Sequence, residues 1–357
     1  MKKVSYLIGG ALVVSAILIA CHDPISSNMP SNSVEQENET VIDRNKNFVR
    51  IGRNNKWGFI DDETRTLAID FQFEGIGHFS EYLSPAAIIQ NGTKKWGYID
   101  TLGQWIVTPR FDDAKDFSEG LAGVKVDGFW GFINHSGQFV IPPQFSDVYD
   151  YSEGLVGVFD KEKKFEYIDK VGNVAIKRSE IADGSSFSNG LARVWVNFEV
   201  GFIDKEGNYA IQPQYGNAQD YSDGIIAVKV GSFFKGKWGY IDKNNNMIIN
   251  AQYDDARNFV NGYACVTLND KYCIINKRGN IVSDRYDMIR EYCDGLAPVS
   301  QNGKWGFVNR AGKLVIPLQY DEVVPYGFNN GHCWVICGNY MMKIDREGNI
   351  LMQGSIN

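Results

Sequence analysis

Histidine is scarce: His22, His78, His135 and His332 are the only four in 357 residues. None has a second histidine three or four positions away, and only His332-Cys333, with Cys337 nearby, groups metal-ligating side chains. That group reads as strand packing, so no metal centre is expected. Gly-rich phosphate loops, G-x-S-x-G elbows and H-E-x-x-H helices are also missing, which removes the usual marks of nucleotide, hydrolase and zinc-peptidase chemistry. Asp242-Lys243-Asn244-Asn245-Asn246 starts like a calcium loop but lacks the rest of its spacing and the closing Glu, and reads as an Asn-rich turn. Carboxylate pairs such as Asp112-Asp113 and Asp254-Asp255 recur at one sequence slot, whereas a catalytic pair should be singular. The expectation is no cofactor and no enzyme.

Long apolar runs are missing after Ala20, and no lysine or arginine cluster stands out, so neither a later membrane span nor a nucleic-acid surface is expected. Lys2 and Lys3 do precede an uncharged apolar run over residues 4–20, the shape of a secretory signal. Leu18-Ile19-Ala20-Cys21 resembles the lipobox of bacterial lipoproteins, which implies cleavage before Cys21 and lipidation on it. Removing residues 1–20 takes away Lys2 and Lys3 and no acid, moving the formal charge from −7 to −9. Residues 21–46 are rich in Ser, Asn and Glu, with too little apolar surface to fold, and read as a tether. The expected location is the bacterial cell envelope, at the outer membrane or cell surface rather than the inner membrane, with the lipid as the one membrane contact.

No C-x-x-C occurs. Five cysteines follow Cys21, an odd number, so an exported chain would leave at least one unpaired. Cys265 and Cys273 flank one hairpin turn and are the single candidate disulfide; the rest read as small buried strand residues.

What the chain has in quantity is glycine, 37 residues, and aromatics, and both recur at fixed intervals. NNKWGFID at 54–61, TKKWGYID at 93–100, DGFWGFIN at 127–134, KGKWGYID at 235–242 and NGKWGFVN at 302–309 are copies of one motif. Anchoring each copy four residues before its closing Asp or Asn gives nine units, at 57, 96, 130, 165, 200, 238, 272, 305 and 341. Two spacings exceed the usual 33–36 residues, and both place their extra length in the turn before the motif, at residues 90–95 and 230–237. Length variation of that kind belongs to surface connections.

Within a unit, three short apolar stretches are separated by turn signals such as Asp127-Gly128 and His135-Ser136-Gly137, so three antiparallel strands are expected. A connection carrying two recurrent aromatics, for example Phe145 and Tyr151, leads to the next unit. Both faces of the motif strand are apolar, so each unit must pack against neighbours, the tryptophan filling volume and the glycine allowing close approach.

The pattern resembles the WG-repeat family, also called WG β-repeats, over residues 47–353, with Trp57, Trp96, Trp130, Trp238 and Trp305 as the repeat anchors. Phe165-Glu166, Val200-Gly201, Tyr272-Cys273 and Met341-Met342 depart from it. The apolar replacements at the first position argue that the tryptophan packs rather than recognises a ligand. Residues 47–357 are expected to form one all-β domain of nine units. An open, curved stack is favoured, and a β-propeller is the alternative if the connection after the third strand hides a fourth. Repeat arrays present extended surfaces, so the expected function is a non-enzymatic binding or scaffold module for a protein or peptide, with a glycan as second choice. A purely structural spacer, or an envelope enzyme with a groove or ring-centre site, are the competing readings.

Overall fold

The computed structural model describes residues 48–61, 64, 66–323, 327–328 and 331–355, and every regular element among them is a strand. The expected signal sequence over residues 1–20, Cys21 and the expected tether lie outside the described residues.

Consecutive strands pair antiparallel into nine sheets whose spatial order follows the chain. In the third, Asp113–Ala114, Ala122–Val126, Phe129–Ile133 and Phe139–Phe145 lie side by side. The two-residue strand is the element that periodicity cannot resolve. It sits in the connection between the two recurrent aromatics, where Asp113 and Ala114 pair with Lys125 and Val124, and it is too short to show alternation. Seven sheets have four strands. The first has three, and in the seventh isolated bridges, Tyr272 to Tyr286 and Ile275 to Ile281, stand in for an outer strand.

The chain forms two compact units. One holds the described residues up to Phe73 with Arg290–Asn309 and Leu314–Asn357; the other holds Glu74–Ile289 with Arg310–Lys313. The first sheet therefore shares a unit with the last. Three- and four-stranded blades with that connectivity make a nine-bladed β-propeller, the alternative fold class, and the favoured open stack is not adopted. Each blade after the first begins with a strand drawn from the preceding unit's connection, and this added strand decides between the two.

The Trp-Gly pair has a local meaning inside each blade. Trp130 pairs with Phe145 and Phe132 with Ile141, so the outer strand carries two extra residues between those rungs. This bulge folds the outer backbone over the intervening glycine: a Cβ on Gly131 would lie 2.6 Å from the Ile141 carbonyl oxygen. Only glycine tolerates that approach. The same bulge faces Gly58, Gly97, Gly201, Gly239 and Gly306. Where glycine is replaced, the bulged strand changes. Beside Glu166 the outer strand shrinks to Val174–Ile176, beside Cys273 it breaks into bridges, and Met342 pairs with Gln353 in a regular ladder. The close approach expected between units is thus an approach within one blade. Pro109, Pro142, Pro143, Pro213 and Pro317 fall in the bulged strands, where a ladder needs their N–H least.

The recurrent aromatics bind blade to blade. Phe73, Phe111, Phe145, Tyr215, Tyr253 and Tyr320 are buried, each directly opposite the first residue of its Trp-Gly pair or the replacement there. The second series meets the aromatic two residues after the tryptophan position. Tyr98 with Phe117, Phe132 with Tyr151, Tyr167 with Phe187, Tyr240 with Phe259 and Phe307 with Phe328 have centroids 4.8–5.0 Å apart at inclined angles, the favourable arrangement for ring quadrupoles. Where this residue is tyrosine, its hydroxyl donates to a backbone carbonyl in the next connection, as Tyr98 does to Lys115 at 2.7 Å.

Candidate functional site

The carboxylates are largely accounted for by structure. Ser118-Glu119-Gly120 joins the first two strands of the third blade, and positive φ at Glu119 (53°) and Gly120 (90°) marks the tight hairpin geometry. Ser118 Oγ donates to the carbonyl of Tyr151 at 2.7 Å. The Glu119 carboxylate accepts the N–H groups of Glu153 and Gly154, in the same turn of the next blade, and lies 3.2 Å from Lys170 Nζ. Burial raises the Glu119 carboxyl, but these donors together hold it below its ordinary range. Glu81 repeats the arrangement with Gly120 and His135, Glu153 with Gly190 and Lys205, Asp223 with Gly262 and Lys277, and Asp294 with Gly331 and Arg346. Asn189 and Asn261 interrupt the series, since neither brings a carboxylate; the Ser188 hydroxyl beside Asn189 reaches the Tyr221 carbonyl at 3.2 Å.

A second strap uses the pairs that resemble acid/base dyads. Asp112 accepts from Lys95 Nζ at 2.6 Å and from the N–H of Asp127 at 2.9 Å; Asp254 does the same with Lys237 and Asn269. Asp242 Oδ1 accepts the N–H groups of Asn244 and Asn246, the same side-chain-capped turn formed by Asp100, Asn134, Asp169, Asp204 and Asp345. Among the described residues no cluster of His, Cys, Asp or Glu could hold a metal ion.

The repeat anchors are packing residues. Trp130 and Trp238 are buried and Trp57, Trp96 and Trp305 partly so. Three of the five have a cation over the ring: Lys94 at 4.8 Å from Trp96, Lys115 and Lys125 at 5.4 and 5.6 Å from Trp130, and Arg290 at 4.1 Å from Trp305. Cys265 and Cys273 are buried thiols that are not joined in a disulfide. Cys265 pairs with Ile274 and Cys273 with Val266, one rung apart, so the two side chains leave the hairpin on opposite faces and never meet.

The two long intervals resolve differently. In the second copy the extra residues lengthen the hairpin: Ile88, Ile89 and Gln90 pair with Lys95, Lys94 and Thr93 around an ordinary Asn91-Gly92 turn. In the sixth, a loop over residues 231–236 leaves the ladder and presents Phe233 and Phe234. With Trp195 and Phe198 of the fifth blade they line a groove of about 850 Å³. Phe234 is 89% exposed and Phe198 93%, far beyond any other aromatic side chain described. Phe233 lies 6.5 Å from Trp195 and 5.2 Å from Phe234, centroid to centroid.

The groove is held in shape. A Cβ on Gly216 would come 2.3 Å from the Gly231 oxygen, so the loop seats directly on that glycine. Lys229 Nζ donates to the Phe233 carbonyl at 2.6 Å, and the Gly236 N–H to the Ser232 carbonyl at 2.8 Å. Phe198 holds φ at +68° in the second position of a two-residue turn, where the third blade has Gly128 and the eighth Gly303. A bulky residue there is strained, and such strain gathers at functional sites. Repeat periodicity passes over these four aromatics because none belongs to the repeat. The legible signals were the lengthened 230–237 connection and the Asn197-Phe198 pair where other copies place a turn glycine.

The family of the WG containing repeat matches at residues 57–84, 96–128, 130–164, 201–232, 238–272, 274–305 and 305–340, well over half of the chain. The protein belongs to the WG-repeat family. No curated protein matches the chain. Among solved structures, this WG-repeat chain is similar to a eukaryotic initiation factor, with TM-score 0.50 and 11% identity, covering 73% of this chain and 82% of that one. Kluyveromyces lactis Hsv2 aligns with TM-score 0.38 and 10% identity over 67% of this chain and 96% of its own. BamB from Moraxella catarrhalis aligns with TM-score 0.37 and 10% identity over 68% and 87%. At such identity the initiation-factor likeness concerns the WG-repeat fold alone.

Proposed function

We propose that this WG-repeat protein is a non-enzymatic binding module for a protein or peptide, attached to the bacterial envelope by a lipid on Cys21. One observation carries the binding reading: the only strongly exposed aromatics described, Phe198 and Phe234, flank one preformed groove built from the residues that depart from the repeat. A purely structural spacer gives no reason to keep a strained phenylalanine in a glycine position. The recurring carboxylates have structural partners, which favours binding over catalysis. A glycan is the second choice of ligand, since flat exposed rings suit sugars as well as peptides.

The test uses the full chain, detergent-solubilised and immobilised, against envelope proteins, with Phe198→Gly as the control. A specific protein retained by the wild type and lost from the variant supports the reading; equal retention by both, or none, defeats it. The anchor is tested separately: Cys21→Ala should release the protein from the membrane fraction, and unchanged fractionation would sink the anchor.

A further inference from the structure

Resting on the reading of the Trp195 groove as a peptide site, we propose that its occupant is a basic segment of a partner protein, with an arginine side chain laid against the aromatic walls. Three observations lead there. The first is charge. Glu199 is the one ionisable residue lining the groove, and among the described residues no cation forms an ion pair with it. Two lysines border the lining: Lys229, which donates to the Phe233 carbonyl and lies 5.7 Å from the Phe233 ring, and Lys235, which follows Phe234 in the loop. The lining itself carries one acidic side chain and no basic one, and the chain as a whole carries a formal −7, a balance that favours a basic over an acidic segment.

The second is a precedent inside the molecule. In the third blade Lys125 stands opposite Trp130 and lies over its ring, and in the sixth Lys229 stands opposite Trp238. The fifth blade inverts that pair: Trp195 occupies the lysine position and Val200 the tryptophan position. The inversion turns an indole toward the groove with no cation over it among the described residues, whereas Trp96, Trp130 and Trp305 each have at least one.

The third is shape. Trp195 and Phe233 are inclined at 55°, and Phe233 and Phe234 at 81°, so the walls offer faces and edges in several directions. A planar, weakly hydrated guanidinium can stack on one face while its donors reach a carboxylate at the groove margin; a compact, strongly hydrated ammonium does this less well.

The test is selection of a random decapeptide phage library on the full chain, in parallel with Phe198→Gly and Glu199→Lys. Phe198→Gly gives the turn the residue its backbone prefers, so loss of selection cannot be blamed on misfolding. Expected is arginine enriched about threefold or more over the input library, abolished by Phe198→Gly and reduced at least about fivefold by Glu199→Lys. Peptides selected without arginine but still lost with Phe198→Gly would overturn the basic partner and leave the peptide site standing. Arginine enrichment untouched by Glu199→Lys would also overturn it. Selection insensitive to Phe198→Gly, or no selection at all, would remove the site itself.

Discussion

Gly131 lies under the carbonyl of Ile141, so close that a single methyl group on it would sit 2.6 Å from that oxygen. The contact is with backbone, which cannot rotate away. Gly131→Ala should therefore force the bulge out of the outer strand and destabilise the protein by about 2–4 kcal/mol. Urea denaturation followed by tryptophan fluorescence measures it. A loss under about 0.5 kcal/mol, the range of an ordinary surface substitution, would show that the bulge relaxes freely.

Phe198 gives the opposite expectation. Replacing it with glycine relieves a positive φ and removes an exposed ring, so Phe198→Gly should raise stability by about 1 kcal/mol. A thermal melt reads the shift. A lower melting temperature would mean that the ring contributes packing not evident from its exposure.

Acid should loosen the blade-to-blade straps. Glu119, Asp112 and Asp321 all have carboxyls held below their ordinary values: Glu119 by donors that outweigh its burial, Asp112 and Asp321 chiefly by Lys95 and Lys304. A depressed folded-state value stabilises above the unfolded value and loses that contribution as pH falls through the folded one. The urea midpoint should hold from pH 7 to about 5 and fall below about pH 4. Glu119→Gln should start lower at pH 7 and lose less on acidification; an identical slope would exclude Glu119 from the effect.

The thiols should be quiet. Cys265, Cys273, Cys293 and Cys333 are buried, and burial pushes the Cys333 thiol up to about 12. In the folded protein a thiol reagent should label Cys337 first among these five, and the melting temperature should be the same with and without reductant. Mass-spectrometric recovery of a Cys265–Cys273 bridge would contradict the hairpin register.

The repeat, the strand-bearing nature of each unit and the packing role of Trp305 were legible because each is written nine times or nearly so, and period reports what is repeated. The propeller was not. It depends on strands such as Asp147–Val148, two residues long, which leave no alternation to read. The groove escaped for the converse reason: Trp195, Phe198, Phe233 and Phe234 occur once each, and their meeting depends on how the 231–236 loop seats on Gly216.

Asn189 gives that groove a mechanical setting. Each carboxylate strap works like a stitch between one blade and the next, and the stitch is dropped where the fifth blade meets the sixth, the same pair that supplies the groove's two walls. That seam keeps the long Ser188 hydrogen bond, the Arg193 donation to the Ala218 carbonyl, the Tyr215–Asn245 hydrogen bond and a shared apolar core, but not the turn carboxylate. A ligand wedged between Phe198 and Phe234 would press on a seam without that stitch, whereas the blades from the second to the fifth are each tied to the next by a turn carboxylate.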